Sequence, residues 1–148
     1  METLYIASDH AGVDLKSALM RLIPDGGGIR WKDLGPGPGT KVDYPDHAQL
    51  VCEEVMAEAG RRGVLICGSG IGMSIAANKF PGIRAALCAD VVSARLAREH
   101  NDANVLCLAS RFWAPEYAAE ILRSWLETPF SGDPRHVKRL NKISDLEK

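Results

Sequence analysis

Five short apolar runs alternate along this chain with segments of helical periodicity. The runs are Leu4–Ala7, Ile29–Trp31, Val64–Cys67, Ile83–Leu87 and Val105–Leu108. Runs this short and this rich in branched residues suit strands buried on both faces. Between them, Ala11, Leu15, Ala18, Leu19 and Leu22 fall on one helical face. Ala48, Val51, Cys52, Val55, Met56 and Ala59 do the same, with Pro45 near the start and Gly60 at the end. Tyr117, Ala118, Ile121, Leu122 and Trp125 form a third stripe after Pro115, and Asp90 is placed to cap a helix reaching about Glu99. Alternation of this kind predicts an α/β fold with right-handed βαβ crossovers and a parallel sheet.

At 148 residues the chain fits one domain, residues 1–148, with enough apolar content (46%) to bury a core unaided. The stretch from Asp133 to Lys148 is polar with a thin apolar stripe of Val137, Leu140 and Ile143. It predicts a helix over about 133–146 that packs on a partner subunit. A net charge of −1 gives no electrostatic ground for nucleic acid or an anionic membrane surface. No apolar run reaches the length a membrane helix needs, and the first residues carry no secretion pattern. Four dispersed cysteines without a C-x-x-C pair suggest reduced thiols, hence a cytoplasmic protein.

In a parallel sheet ligands sit beyond the carboxyl ends of the strands. The most informative segment there is Cys67-Gly68-Ser69-Gly70-Ile71-Gly72, between a strand and a helix. Alternate glycines expose backbone amides at a helix start, which suits an anion: a phosphate, or an oxyanion formed during reaction. A dinucleotide fingerprint would need a glycine where Met73 stands, and no phosphate-loop lysine follows. Cys67 at that helix start is either a small core residue or a thiolate base or nucleophile. Cys52, Cys88 and Cys107 lack such a setting and belong to the core.

Asp9 and His10 follow the first strand, where an Asp can simply cap a helix. His100 and Asn101 end a helix before the fifth strand. A histidine there either answers the helix dipole or moves protons near neutral pH. Arg135 and Arg139 share a face as a solvated pair or as a phosphate clamp. His47 and His136 have no partner at metal-ligand spacing, so no metal site is expected.

Longer motifs then narrow the reading. They are SDHAG at Ser8–Gly12, DYPD at Asp43–Asp46 and ICGSGIGMSIAANKFPGIRAA at Ile66–Ala86, followed by REHNDANVL at Arg98–Leu106 and the Arg135/Arg139 pair. Through these the chain resembles the ribose-5-phosphate isomerase B and galactose-6-phosphate isomerase family over nearly its whole length. The resemblance implies a Rossmann-like three-layer α/β/α sandwich with five parallel strands. It implies a homodimer or tetramer with the site at the dimer interface. It implies aldose–ketose isomerisation of a small phosphorylated sugar through a cis-enediol(ate), with no cofactor and no metal.

By the same resemblance Cys67 is the base and His100 opens the sugar ring. The backbone of Gly68, Ser69, Gly70, Ile71 and Gly72 holds the enediolate oxygen, assisted by the Ser69 hydroxyl. Asp9 shuttles protons on the sugar oxygens. Arg111, Arg135 and Arg139 contact phosphate, while His10, Tyr44 and Asn101 line the site. Some relatives use a Glu further along the glycine loop; Ser74 and Ile75 stand here, so the cysteine branch applies. Ser69 replaces a Thr common in the family, Asp133-Pro134 lengthens the segment before Arg135, and residues 26–40 are glycine-rich. These departures bear on sugar choice.

A ring-opening histidine is useful only for a sugar that cyclises. Ribose 5-phosphate with ribulose 5-phosphate is therefore expected first. Allose or galactose 6-phosphate follows, and a tetrose phosphate comes last. Two other classes stay open: a sugar-phosphate-binding protein without catalysis, and a nucleotide or flavin binder.

Overall fold

The computed structural model describes residues 1–147; Lys148, the last residue of the polar stretch that starts at Asp133, lies outside them. The chain runs β1 (Glu2–Ser8), a 3-10 turn (His10–Gly12), α1 (Val13–Leu22), β2 (Ile29–Asp33) and α2 (Tyr44–Met56). It continues β3 (Arg62–Cys67), α3 (Ile71–Ala77), β4 (Ala85–Leu87), α4 (Val91–Glu99), β5 (Val105–Ala109), α5 (Pro115–Glu127) and α6 (Pro134–Ser144). The five strands form one parallel sheet in the order β2-β1-β3-β5-β4. This is the expected α/β sheet.

Strand alternation divides the core into two layers. Ile6, Val64, Ile66, Leu106 and Leu108 point toward Leu15 and Leu19 of α1, Ala94 and Ala97 of α4, and Ile121, Leu122 and Trp125 of α5. Tyr5, Ala7, Leu65, Cys67, Val105 and Cys107 point the other way, toward Ala48, Val51, Cys52 and Val55 of α2 and Met73 and Ala77 of α3. Met73, where a dinucleotide fingerprint would carry glycine, is thus a core residue. Helix α6 stays outside both layers. Of its residues only His136 is buried, and Val137 and Ile143 are exposed.

Several boundaries differ from expectation. The fourth strand begins at Ala85 rather than Ile83. The Ile83 amide turns back to the Phe80 carbonyl, and the Arg84 amide goes to the Asn104 side chain, so neither joins the ladder. Helix α2 stops at Met56, leaving Ala59 exposed beyond it, and Gly60 takes φ 90° in the turn. Ala11 belongs to the 3-10 turn, not to α1. Asp90 does cap α4, in a reciprocal pair with Ser93. The Ser93 amide and hydroxyl hold its carboxyl below the usual range.

The loop after β2 is tied down by a buried charge. Lys16 is 2% exposed, and its ammonium donates to Asp33 at 2.7 Å and to the Pro36 carbonyl at 2.8 Å. The glycine-rich loop is therefore pinned to α1, because an unpaired ammonium there would be costly.

Consecutive strands β1 and β2 are neighbours, yet β3 lies on the other side of β1. The chain reverses direction between β1 and β3, which opens a crevice at their carboxyl ends.

Candidate active site

Two segments meet at that crevice. After β1, the Asp9 amide donates to the Ile66 carbonyl of β3 at 3.0 Å, so the strand ends are stitched together. Asp9 then caps the 3-10 turn, its Oδ1 accepting from the Ala11 and Gly12 amides at 3.0 and 3.2 Å. Gly12 is required for this approach: a Cβ there would lie 2.8 Å from Ile66 Cγ2 and 2.9 Å from Ser8 Cβ. The capping and functional readings of Asp9 are compatible, because the capped carboxylate still lines the cleft.

After β3 comes the glycine loop. Gly70 takes φ 74°, and a Cβ there would sit 2.6 Å from Leu87 Cδ1 and 3.0 Å from the Leu108 carbonyl carbon. Only glycine satisfies both the turn and the packing. The turn brings the Gly70 amide back onto Cys67 Sγ at 3.2 Å. The Ile71 amide donates to Ser69 Oγ at 3.2 Å. Two of the loop amides expected to face a ligand are therefore used internally. Among the described residues no acceptor takes the amides of Gly68, Ser69 or Gly72.

The four cysteines differ in setting. Burial pushes Cys52 up to about 12 and Cys88 to about 11, and lifts Cys107 as well. Those thiols are inert core groups. Cys67 has a backbone N–H aimed at its sulfur and borders the cleft.

The cleft holds about 550 Å³ and is lined by Asp9, His10, Tyr44, Cys67, the loop residues Gly68, Ser69, Ile71 and Gly72, and Arg111. Arg111 lies flat on Gly68, where a Cβ would be 3.2 Å from its guanidinium carbon. Gly72 likewise leaves room for the Tyr44 ring, 2.7 Å from its would-be Cβ. His10 Nδ1 is held by the Val42 backbone at 3.1 Å. Sequence reasoning missed the apolar rim of Ile75 and Phe112, which with Ile71 are 60%, 61% and 50% exposed. Its signal was present, since large apolar side chains flank the two polar motifs.

The remaining expected residues lie elsewhere. His100 and Asn101 follow α4, which returns the chain to the amino end of β5. Val105 of β5 pairs with Gly63, and Cys67 is four residues further along β3. At about 3.3 Å per residue, at least about 13 Å of sheet separates Cys67 from the His100 segment. Helix α6 starts at that same end, with the Ser131 amide donating to the Glu99 carbonyl at 3.0 Å. Arg139 is exposed, and the Arg135 guanidinium folds back on Asp133 at 3.3 Å. One chain thus brings together Cys67, Asp9, His10, Tyr44, Ser69 and Arg111. It does not bring His100, Asn101, Arg135 or Arg139 to them.

The His100 segment is itself well braced. Asp102 adopts φ 45° and is gripped by Arg98 at 2.9 Å and Arg84 at 3.5 Å. The His100 ring lies 4.3 Å from that of His136, centroid to centroid. Among the described residues no group of three His, Cys, Asp or Glu side chains could hold a metal ion, and no helix is long and apolar enough to cross a membrane.

Comparison with known proteins gives one consistent answer. The Ribose/Galactose Isomerase family model matches residues 4–143. Ribose-5-phosphate isomerase B of Escherichia coli is 39% identical over 147 residues, covering 99% of this chain and 97% of its own. The structure of Trypanosoma brucei type B ribose 5-phosphate isomerase superposes with a TM-score of 0.95 at 45% identity, covering 99% of both chains. Ribose-5-phosphate isomerase B from Mycoplasma genitalium, solved with bound ribulose 5-phosphate, gives a TM-score of 0.91 at 40% identity, covering 98% of this chain and 95% of that one. The chain belongs to the Ribose/Galactose Isomerase family.

Proposed function

We propose that this protein interconverts ribose 5-phosphate and ribulose 5-phosphate through a cis-enediolate, with Cys67 as the base. The observation that carries the reading is the Cys67 sulfur. It receives the Gly70 amide at 3.2 Å in a cleft shared with Asp9 and Arg111. Ribulose 5-phosphate in the Mycoplasma genitalium relative supports the choice of sugar.

The chemistry asks for two things at once. A proton must leave a carbon beside a carbonyl, and the developing oxyanion must be held. The Cys67 thiolate removes the C2 proton of the open-chain aldose and returns it to C1. The electron pair moves into the carbonyl oxygen, which the free amides of Gly68, Ser69 and Gly72 are placed to receive. Asp9 carries the proton between the O1 and O2 oxygens. Arg111 takes the phosphate, and this remote anchor aligns the reacting carbons.

His100, Asn101, Arg135 and Arg139 join the site from a second copy of the chain. Two facts support this arrangement. All four project from the amino end of the sheet, His100 and Asn101 just after α4 and Arg135 and Arg139 on α6, a helix that buries little of itself. The cleft in turn is rimmed by exposed Ile71, Ile75 and Phe112, an apolar border suited to a partner. His100 then opens the furanose before proton transfer.

The test is incubation with ribose 5-phosphate, allose 6-phosphate, galactose 6-phosphate and erythrose 4-phosphate, separately, in deuterated water. Proton NMR follows ketose formation and loss of the C2 proton. Turnover of ribose 5-phosphate above the others is expected. Preference for another sugar corrects the substrate. Absence of exchange with all four, while phosphate ligands still raise the melting temperature, leaves a binding protein. An active monomer by light scattering contradicts the shared site.

A further inference from the structure

His136 stood out in the sequence only as a histidine without a metal partner. In the structure it is the one buried residue of an otherwise exposed helix, 8% accessible, while its neighbours Arg135 and Val137 face solvent. Burying a polar ring on a helix that buries little else needs a reason. Its ring packs against His100 at 4.3 Å with an interplanar angle of 33°. Its Nδ1 meets Ser131 Oγ at 2.7 Å.

The surroundings of that contact are fixed on both sides. Ser131 Oγ accepts the Asp133 amide at 3.1 Å, and the Ser131 amide donates to the Glu99 carbonyl at 3.0 Å. With one lone pair occupied, the hydroxyl proton is available to His136 Nδ1. Ser131 thereby sets the plane of the His136 ring, and that plane sets the face on which His100 lies. Below His100, the Arg84–Asp102–Arg98 clamp holds the backbone. The imidazole is gripped from both directions, although nothing in the chain's core packing requires a histidine at position 136.

We propose that His136 is a positioning residue for sugar-ring opening, orienting His100 through tilted ring-to-ring packing with its own ring locked by Ser131. The inference rests on the isomerase reading above, in which His100 acts on the cyclic sugar. It also makes a separable claim, because His136 serves the ring-opening step and not the proton transfer at Cys67. Ribulose 5-phosphate distinguishes the two steps. Its C5 oxygen carries the phosphate, so this ketose cannot form a furanose and needs no ring opening.

The experiment compares wild type, His136→Ala and His136→Phe over a range of substrate concentrations, so that kcat and KM are read separately. It measures turnover of ribose 5-phosphate and, separately, exchange of the C1 proton of ribulose 5-phosphate in deuterated water. His136→Ala should lower kcat for ribose 5-phosphate about tenfold while exchange on ribulose 5-phosphate stays within about twofold. His136→Phe keeps an aromatic ring against His100 and should recover most of the lost turnover. Equal losses in both assays mark a merely structural residue and overturn the proposal. A rise in KM with unchanged kcat marks a direct phosphate contact and overturns it as well, as does full activity of His136→Ala. Failure of the wild type to exchange the ribulose 5-phosphate proton overturns the isomerase reading and this inference together.

Discussion

The two ends of the sheet each carry a cleft, and the larger one is not the candidate site. At the amino end about 680 Å³ is enclosed by residues that include Arg61, Arg62, Arg84 and Arg98. Each of these arginines already has a carboxylate. Arg62 binds Glu2 through two bonds of 2.7 Å, Arg84 and Arg98 share Asp102, and Arg61 reaches Glu54 and Glu58. Arg62 and Arg98 also lie over the fully buried Trp125 ring, at 5.1 and 5.9 Å. At the carboxyl end the smaller cleft holds Arg111, which makes no ion pair among the described residues, and amides that no protein acceptor takes. Charge spent on neighbours builds structure; charge left over is available to a ligand. Volume alone ranks the two clefts the wrong way round.

The sharpest way to break this contrast is at Cys67. Cys67→Ala should reduce proton exchange at least about 10³-fold while phosphate ligands still stabilise the protein against heat. Retained turnover in that variant would remove the base from the proposed mechanism. A second comparison sets two left-handed glycines against each other. Gly70 and Gly82 have φ of 74° and 81°; Gly70 is buried in the glycine loop beneath the carboxyl-end cleft and Gly82 lines the amino-end one. A Cβ at Gly70 meets Leu87 and the Leu108 backbone, while at Gly82 nothing lies within 4 Å. Gly70→Ala should cost about 3 kcal/mol and Gly82→Ala about 1 kcal/mol in urea unfolding. Equal costs would show that conformation alone, not packing under the loop, fixes Gly70. The smallest effect belongs to the amino end. Glu2→Gln weakens one partly buried pair and should lower stability by about 1 kcal/mol with kcat/KM unchanged. A catalytic defect there would mean that the larger cleft also serves the reaction.

Much of the carboxyl-end site was legible because its residues are punctuation. Asp9-His10 and Cys67–Gly72 stand where apolar runs stop, and a parallel sheet places such stops on one edge. The layers were legible in the helices, whose apolar stripes each mark a buried face, but not in the strands, whose runs are apolar on both faces. What local pattern could not supply was pairing across distance. Nothing in the sequence says that His136 packs on the His100 ring, that Lys16 reaches Asp33 and Pro36, or that Arg62 and Arg98 both lie over Trp125. The divided location of the site residues is a subtler case. His100 ends a helix that precedes a strand, which in a parallel sheet already puts it at the amino end. The family resemblance grouped it with Cys67 by role, and the structure separates the two by position within one chain.

The crevice lies between β1 and β3, which are not consecutive strands, and this fixes when it can come into being. The unit β1–α1–β2 can pair locally, but it contains no glycine loop and no sulfur. Leu4 must find Arg62 and Ser8 must find Ile66 before Asp9 and Cys67 share a wall. Arg111 arrives only after β5 has docked on β3. Such long-range pairings pay loop-closure entropy before they are rewarded, and they form late in folding. A chain arrested with β5 unpaired could bring Asp9 and Cys67 together but would lack Arg111 beside them. Ligand capture in this crevice is therefore a readout of the finished sheet.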